Sequence, residues 1–216
     1  MPRIAPPDLA PWFRTLNDVE GLLDWTEFFG NDNPVELDVG SGRGLFLVHS
    51  AEANPGVNYL GIEIDYREGR RAARRLKKRG FPNARVIGGD VRIALIKHIP
   101  PASISAVHVY FPDPWWKRKH RRRRVFSDEF ADLAAGVLKP GGLLHSWTDV
   151  EEYFGIISGL MDHHPEFETL PPPEERDPEY DLDFQTSFER KKRKEGLPIY
   201  RGLWRRIACC PNGKSP

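Results

Sequence analysis

Short apolar runs bounded by turn residues recur along the chain, and longer stretches with helical spacing of apolar positions lie between them. The runs predict strands over Val35–Val39, Tyr59–Ile64, Ala84–Ile87, Ala106–Phe111, Leu143–Trp147 and Leu203–Ala208. The intervening stretches predict helices over Gly44–Ala53, Tyr66–Arg79, Val91–Ile99, Asp128–Leu138 and Val150–His163. Alternation of this kind specifies an α/β fold with a mostly parallel, doubly wound sheet, because each parallel connection needs a crossover that a helix supplies. The stops agree with the pattern. Asn54-Pro55-Gly56 closes the first main helix, Lys139-Pro140-Gly141-Gly142 the fourth, and Ser127 caps the latter's start.

Two segments fall outside the alternation. Residues 1–34 precede the first strand as a lead-in, in which Trp12–Phe29 is expected to be a short helical stretch. Pro171–Gly196 is proline-rich, charged and poor in aliphatics, which reads as a long surface loop. The remainder, 35–210, is one domain, consistent with a length of 216 residues.

Charge changes the picture more than composition does. The net charge is only +1, yet segments 67–79, 117–124 and 190–194 hold 8, 7 and 5 of the 32 Lys/Arg against a single acid, Glu68, leaving 12 basic and 30 acidic residues elsewhere. Basicity gathered into patches is the electrostatic footprint of a nucleic-acid binder, although any one run taken singly reads better as a solvated face. On the 66–79 helix, Arg67, Arg70, Arg71, Arg74, Arg75 and Lys78 follow helical spacing, opposite Ala72, Ala73 and Leu76. Cys209 and Cys210 are neighbours, which is poor geometry for a mutual bridge. The scattered histidines, including the adjacent His163 and His164, have no partners at metal-ligand spacing, so no metal is expected. No apolar run is long enough for a membrane span and the N-terminus lacks a secretory core, so a cytoplasmic protein is expected.

The strand Val35–Val39 runs directly into Gly40-Ser41-Gly42-Arg43-Gly44 at the start of a helix. Glycines there let the backbone approach a ligand, and the helix start offers unpaired N–H groups. Glu63 follows at the end of the second strand, 23 residues after Gly40, where a carboxylate can hold both hydroxyls of a ribose. Asp90 follows the third. A nicotinamide dehydrogenase shares these features, but this turn is G-x-G-x-G and its strand carries Asp38. A negative charge repels a pyrophosphate and attracts the cationic methionine moiety of S-adenosylmethionine, so the sign of Asp38 favours the sulfonium compound.

After the fourth strand comes Tyr110-Phe111-Pro112-Asp113-Pro114-Trp115-Trp116, followed by the basic run 117–124. Prolines on both sides of Asp113 restrict its backbone at the carboxyl end of a strand, where ligands of open α/β sheets bind. The tryptophans offer faces for base stacking and the basic run suits phosphates. Asp149 in Trp147-Thr148-Asp149 ends the fifth strand and stands where a cap for the following helix is also expected.

Through the glycine turn, Gly61-Ile62-Glu63, Phe111-Pro112-Asp113-Pro114-Trp115 with Lys117 and His120, Trp147-Thr148-Asp149 and Thr186-Ser187-Phe188-Glu189, the chain resembles the bacterial tRNA (guanine-N(7)-)-methyltransferase family over roughly residues 35 to 206. The resemblance implies a single-domain Rossmann-like class I methyltransferase with an antiparallel strand near the C-terminus, S-adenosylmethionine as cofactor and tRNA as partner. It makes Asp38, Glu63 and Asp90, with Gly40 and Gly42 of the turn, cofactor contacts, and places Asp113 at the catalytic centre beside the cofactor. It makes Lys117, Asp149, Thr186, Ser187, Phe188 and Glu189 substrate contacts, the last four on a loop that closes over the target guanine. The chain departs from the family's usual pattern at Trp116 and Ser187. Methylation of an adenine or a protein amine, or RNA binding without catalysis on the same fold, are the competing functions. Monomer and homodimer both stay open.

Overall fold

The computed structural model describes residues 8–172, 196 and 198–207. Eight strands form one sheet: β1 (Phe13–Thr15), β2 (Val35–Val39), β3 (Asn58–Glu63), β4 (Ala84–Gly88), β5 (Ile104–Tyr110), β6 (Leu138–Thr148), β7 (Phe167–Leu170) and β8 (Tyr200–Arg206). Their order across the sheet is β1-β4-β3-β2-β5-β6-β8-β7. The first six run parallel, and β8 is antiparallel to both β6 and β7. The helices are α1 (Trp25–Phe29), α2 (Leu45–Ala53), α3 (Tyr66–Arg79), α4 (Val91–Lys97), α5 (Asp128–Val137) and α6 (Glu151–Met161). This is a Rossmann-like, doubly wound sheet.

The central strands are buried on both faces, which is why they read as near-continuous apolar runs. One core unites Leu37, Ile62, Val107 and Leu144 with Phe130, Tyr153 and Ile157 of α5 and α6, and a second gathers Phe46, Leu47, Tyr59, Ala72, Leu76 and Val86 beneath α2 and α3. The crossovers leave β2 between β3 and β5, so the chain order reverses there and opens a crevice at the carboxyl ends of those strands.

The predicted elements appear within a few residues of their expected bounds, with informative departures. The lead-in is not simply helical: Phe13–Thr15 is a parallel edge strand on β4, Leu16–Asp18 a 3-10 turn, and only Trp25–Phe29 an α-helix. Local spacing could not separate these, because β1 exists only by pairing with β4. The strand expected from Leu143 starts at Leu138 and carries Lys139-Pro140-Gly141-Gly142 within it. Gly141 takes φ 82°, and a side chain on Gly142 would meet the Lys139 carbonyl at 2.8 Å, so the glycines form an irregularity in the ladder rather than a plain helix stop. β7 had no signal of its own, since only Phe167 of its four residues is buried. The last strand spans Tyr200–Arg206, ahead of its expected Leu203–Ala208. Among the described residues, no helix is long and apolar enough to cross a membrane, and no group of three or more His, Cys, Asp or Glu side chains is arranged to hold a metal ion.

Candidate functional site

Five successive parallel strands deliver an acid to one end of the sheet. Asp38 lies within β2, Glu63 ends β3, Asp90 follows β4, Asp113 follows β5 and Asp149 follows β6. The spacing that looked repetitive in sequence is the sheet's carboxyl edge.

The glycine turn is held by strand β3. Gly40 and Ser41 donate backbone N–H groups to the Ile62 carbonyl at 2.8 and 3.3 Å. Gly40, Gly42 and Gly44 take φ 76°, 51° and 71°, values that favour glycine over any other residue. Gly44 is required twice over, because a Cβ there would lie 2.6 Å from the Ala72 Cβ of α3. Gly61 is bare for a similar reason: a Cβ would meet Leu47 at 2.6 Å and Ser41 at 2.8 Å. At Gly40 a Cβ would meet nothing within 4 Å, so open space adjoins the turn there.

Glu63 is 8% exposed, and each carboxylate oxygen already accepts a backbone N–H, Oε2 from Gly42 at 2.7 Å and Oε1 from Asp65 at 2.8 Å. It therefore shapes the turn itself, which sequence spacing did not reveal. An ionised carboxylate oxygen accepts about two hydrogen bonds, so each retains a free lone pair for a ligand hydroxyl. Asp90 accepts from Arg92 N at 2.9 Å and so starts α4. Just past Glu63, Ile64 is 71% exposed, an apolar side chain left open at the crevice rim. Sequence reading missed it, although an aliphatic directly after a strand-end acid was the available signal.

Asp38 is 3% exposed, and no described residue supplies its carboxylate with a hydrogen bond or ion pair. Burial pushes its carboxyl up to about 8, with the negative charge of Glu63 adding to the effect. Ser41 Oγ is also buried without a partner among the described residues. A buried carboxylate without a counter-charge, an orphaned hydroxyl and a glycine turn with space beside it together fit a cationic ligand bearing vicinal hydroxyls. Neutral Asp38 must ionise to meet such a cation. S-adenosylmethionine binding should therefore release close to one proton at pH 7 and tighten as pH rises from 6 to 8, levelling above that. Calorimetry in buffers of different ionisation enthalpy measures the release, and pH-independent affinity would refute the pairing. The same shift makes the ligand-free protein less stable as pH rises from about 4 to about 8, because the native state retains a proton that the unfolded chain has lost.

The segment after β5 is unusually constrained. Phe111 and Trp115 take φ 50° and 41°, a region costly for aromatic residues, and they bracket Pro112-Asp113-Pro114. Phe111 N–H donates to the Trp147 carbonyl at 2.7 Å, while Arg124 Nε donates to the Pro114 carbonyl at 2.6 Å. Asp113 is exposed on this fixed loop. Burial pushes the nearby Tyr153 hydroxyl up to about 12, a rise that Arg124 opposes and the charge of Asp113 reinforces.

The basic run divides in two. Arg123 lies over the Trp115 ring at 5.1 Å, and Arg124 lies over Trp116 at 5.5 Å and Tyr153 at 5.2 Å. Both tryptophans thus carry an intramolecular cation, and Arg124 is a structural residue rather than a free phosphate contact. Arg121 and Arg122 are exposed, as is Lys117 at the start of the 3-10 turn. Asp149 sits between β6 and α6 but is not the cap expected of it. The cap position is Val150, whose N–H donates to Thr148 Oγ1 at 3.2 Å. Thr186, Ser187, Phe188 and Glu189 lie outside the described residues, as do Cys209 and Cys210.

A family model described as "Putative methyltransferase" matches residues 32–202. A tRNA (guanine-N(7)-)-methyltransferase of Rhodopirellula baltica is 42% identical over 205 residues, covering 92% of this chain and 76% of that protein. One from Aliivibrio salmonicida is 36% identical over 191 residues, covering 88% of this chain and 80% of that protein. The solved structure of a SAM dependent methyltransferase from Aquifex aeolicus matches with a TM-score of 0.56 at 13% identity, covering 84% of this chain and 87% of that one, a likeness of fold. Sequence identity at this level over most of both chains, with a family model spanning residues 32–202, means that the chain belongs to the tRNA (guanine-N(7)-)-methyltransferase family.

Proposed function

We propose that this protein transfers a methyl group from S-adenosylmethionine to ring nitrogen 7 of a variable-loop guanine in tRNA, acting in the cytoplasm. The observation that carries the reading is the pairing of a buried Asp38, unpartnered among the described residues, beside the glycine turn with Asp113 on a conformationally fixed loop at the same edge of the sheet. The names of the relatives supply the substrate.

In this reading, Asp38 faces the positive charge of the methionine portion, the free lone pairs of Glu63 accept the ribose hydroxyls, and Asp90 and Ile64 border the adenine. Gly40 and Gly42 let the backbone come close. When bound, S-adenosylmethionine supplies an electrophilic methyl on a sulfonium. Asp113 orients guanine by accepting hydrogen bonds from its amino and imino edge. Lys117 and Asp149 flank the same opening as substrate contacts, and the family resemblance adds Thr186, Ser187, Phe188 and Glu189 as further substrate contacts. Nitrogen 7 of guanine presents a lone pair at the major-groove edge, so no proton has to be removed before it attacks. The protein's contribution is alignment of nucleophile and methyl, which can be worth about 7–11 kcal/mol in favourable systems.

Unmodified tRNA treated with the protein and S-adenosylmethionine should yield 7-methylguanosine on nucleoside mass spectrometry. A methylated adenosine, or methyl transfer only to protein, would assign the same fold to a different substrate.

A further inference from the structure

Helix α3 carries eight Lys/Arg and one acid between residues 67 and 79, a density that cofactor chemistry does not require. The structure separates these cations into two sets. Five are engaged internally. Arg71 pairs with Glu68, whose other oxygen is held at 3.0 Å by Arg43 of the glycine turn. Arg75 donates to the Arg43 carbonyl at 3.2 Å, Arg70 lies over the Phe13 ring at 5.1 Å, Lys77 donates to the Asp8 carbonyl at 2.7 Å, and Arg79 pairs with Glu52 at 3.2 Å.

The other three, Arg67, Arg74 and Lys78, are exposed, and their side chains make no hydrogen bond, ion pair or ring contact with any described residue. They are not scattered. At about 100° per residue they fall within about 40° of one another round the helix, spread along about 16 Å of its axis. The opposite side of α3, formed by Gly69, Ala72, Ala73 and Leu76, is buried against the sheet. A stripe of cations is thus held outward by a helix that cannot rotate.

Such a stripe is unfavourable for the protein alone. Arg67 and Arg71, Arg70 and Arg74, Arg71 and Arg75, and Arg74 and Lys78 stand one helical turn apart as like-charge neighbours, a spacing that destabilises a helix. Arg67 also lies in the first turn, where the helix dipole disfavours a cation. Glu68, the single acid, is already shared between two arginines. The uncompensated charge calls for an extended polyanion, and a spaced row of point charges matches the repeating phosphates of a nucleic-acid backbone.

We infer that the outward stripe of α3, with Arg67, Arg74 and Lys78 as its contacts, is a second tRNA-binding surface that grips the sugar-phosphate backbone away from the target guanine. The inference rests on tRNA being the substrate. The stripe is linked to the cofactor turn through Arg43, Glu68 and Arg71, so a tRNA held there lies along the flank of the same crevice.

The test is the variant Arg67→Gln/Arg74→Gln/Lys78→Gln of the full chain, compared with Lys97→Gln/Lys139→Gln, whose positions are exposed elsewhere. None of the three substituted side chains makes a hydrogen bond, ion pair or ring contact with a described residue, so the fold should be retained, and thermal unfolding checks this. Binding of an unmodified tRNA transcript is followed over a range of salt. The triple variant should lower the slope of log K against log salt by about 2 to 3, at about 0.7–0.9 per phosphate contact. It should also raise KM for tRNA while leaving kcat at saturating tRNA and S-adenosylmethionine affinity unchanged. A slope equal to the parent's, or a decrease no larger than that of the control, overturns the inference. Formation of 7-methylguanosine by the parent separates the two readings: its absence with tRNA binding intact overturns the substrate assignment alone, and a parent that does not bind tRNA overturns both.

Discussion

Asp113→Asn should lower the single-turnover rate of methyl transfer by about 10²–10³-fold, the range seen when one preorganised electrostatic contact to a reacting group is removed. Affinities for tRNA and S-adenosylmethionine should change far less. The carboxylate is held on a segment whose flanking residues, Phe111 and Trp115, both adopt left-handed backbone angles, and Arg124 fixes the carbonyl of the following proline. A loop that accepts such conformations is pre-set before substrate arrives, so its group needs no reorganisation during reaction. Methylation at nitrogen 7 places positive charge on the purine. A fixed carboxylate offsets that charge and accepts hydrogen bonds from the base, whereas an amide loses the charge and presents donors on one side. Rapid-quench kinetics and the pH profile of the chemical step provide the check. A parent rate that depends on an essential base, lost in Asp113→Asn, would indicate proton abstraction and an exocyclic amine as acceptor.

Glu63→Ala should weaken S-adenosylmethionine binding by about 100-fold or more. Two hydroxyls each lose a charged acceptor, at about 1.5–3 kcal/mol per bond, and each 1.4 kcal/mol is about tenfold in Kd. The structure adds a second loss. Without the carboxylate, the N–H groups of Gly42 and Asp65 have no partner, so the turn that brings Gly40 and Gly42 to the ligand loosens as well. Glu63→Gln retains one acceptor oxygen and should fall between parent and alanine variant. Calorimetric titration of the three proteins, with thermal unfolding of each ligand-free form, separates lost ligand contacts from lost turn geometry. Parent-like affinity in Glu63→Ala would place the ribose elsewhere.

The amino-acid sequence by itself determined the parallel core and the acids that edge it. Strands β2 to β5 are buried on both faces, so apolar content alone marks them, and the turn after β2 has residue types dictated by backbone conformation, as at Gly40, Gly42 and Gly44. The resemblance carried by the Asp113 block then named the chemistry, because prolines around an acid followed by tryptophan are too specific to arise from packing. What needed the tertiary structure was every feature created by a distant partner. The edge strand β1 and the short β7 are made by ladder bonds to β4 and β8, and no local propensity encodes those pairings. The hydrogen bond from Gly42 that makes Glu63 a brace for the glycine turn joins residues 21 apart, while the burial of Asp38, unpaired among the described residues, depends on neighbouring strands. Charge runs were visible as composition, but which cations are spent on internal contacts depends on where Glu68, Trp116, Tyr153 and the Pro114 carbonyl lie in space. Sequence counts charges, and only the fold decides which of them remain available to a partner.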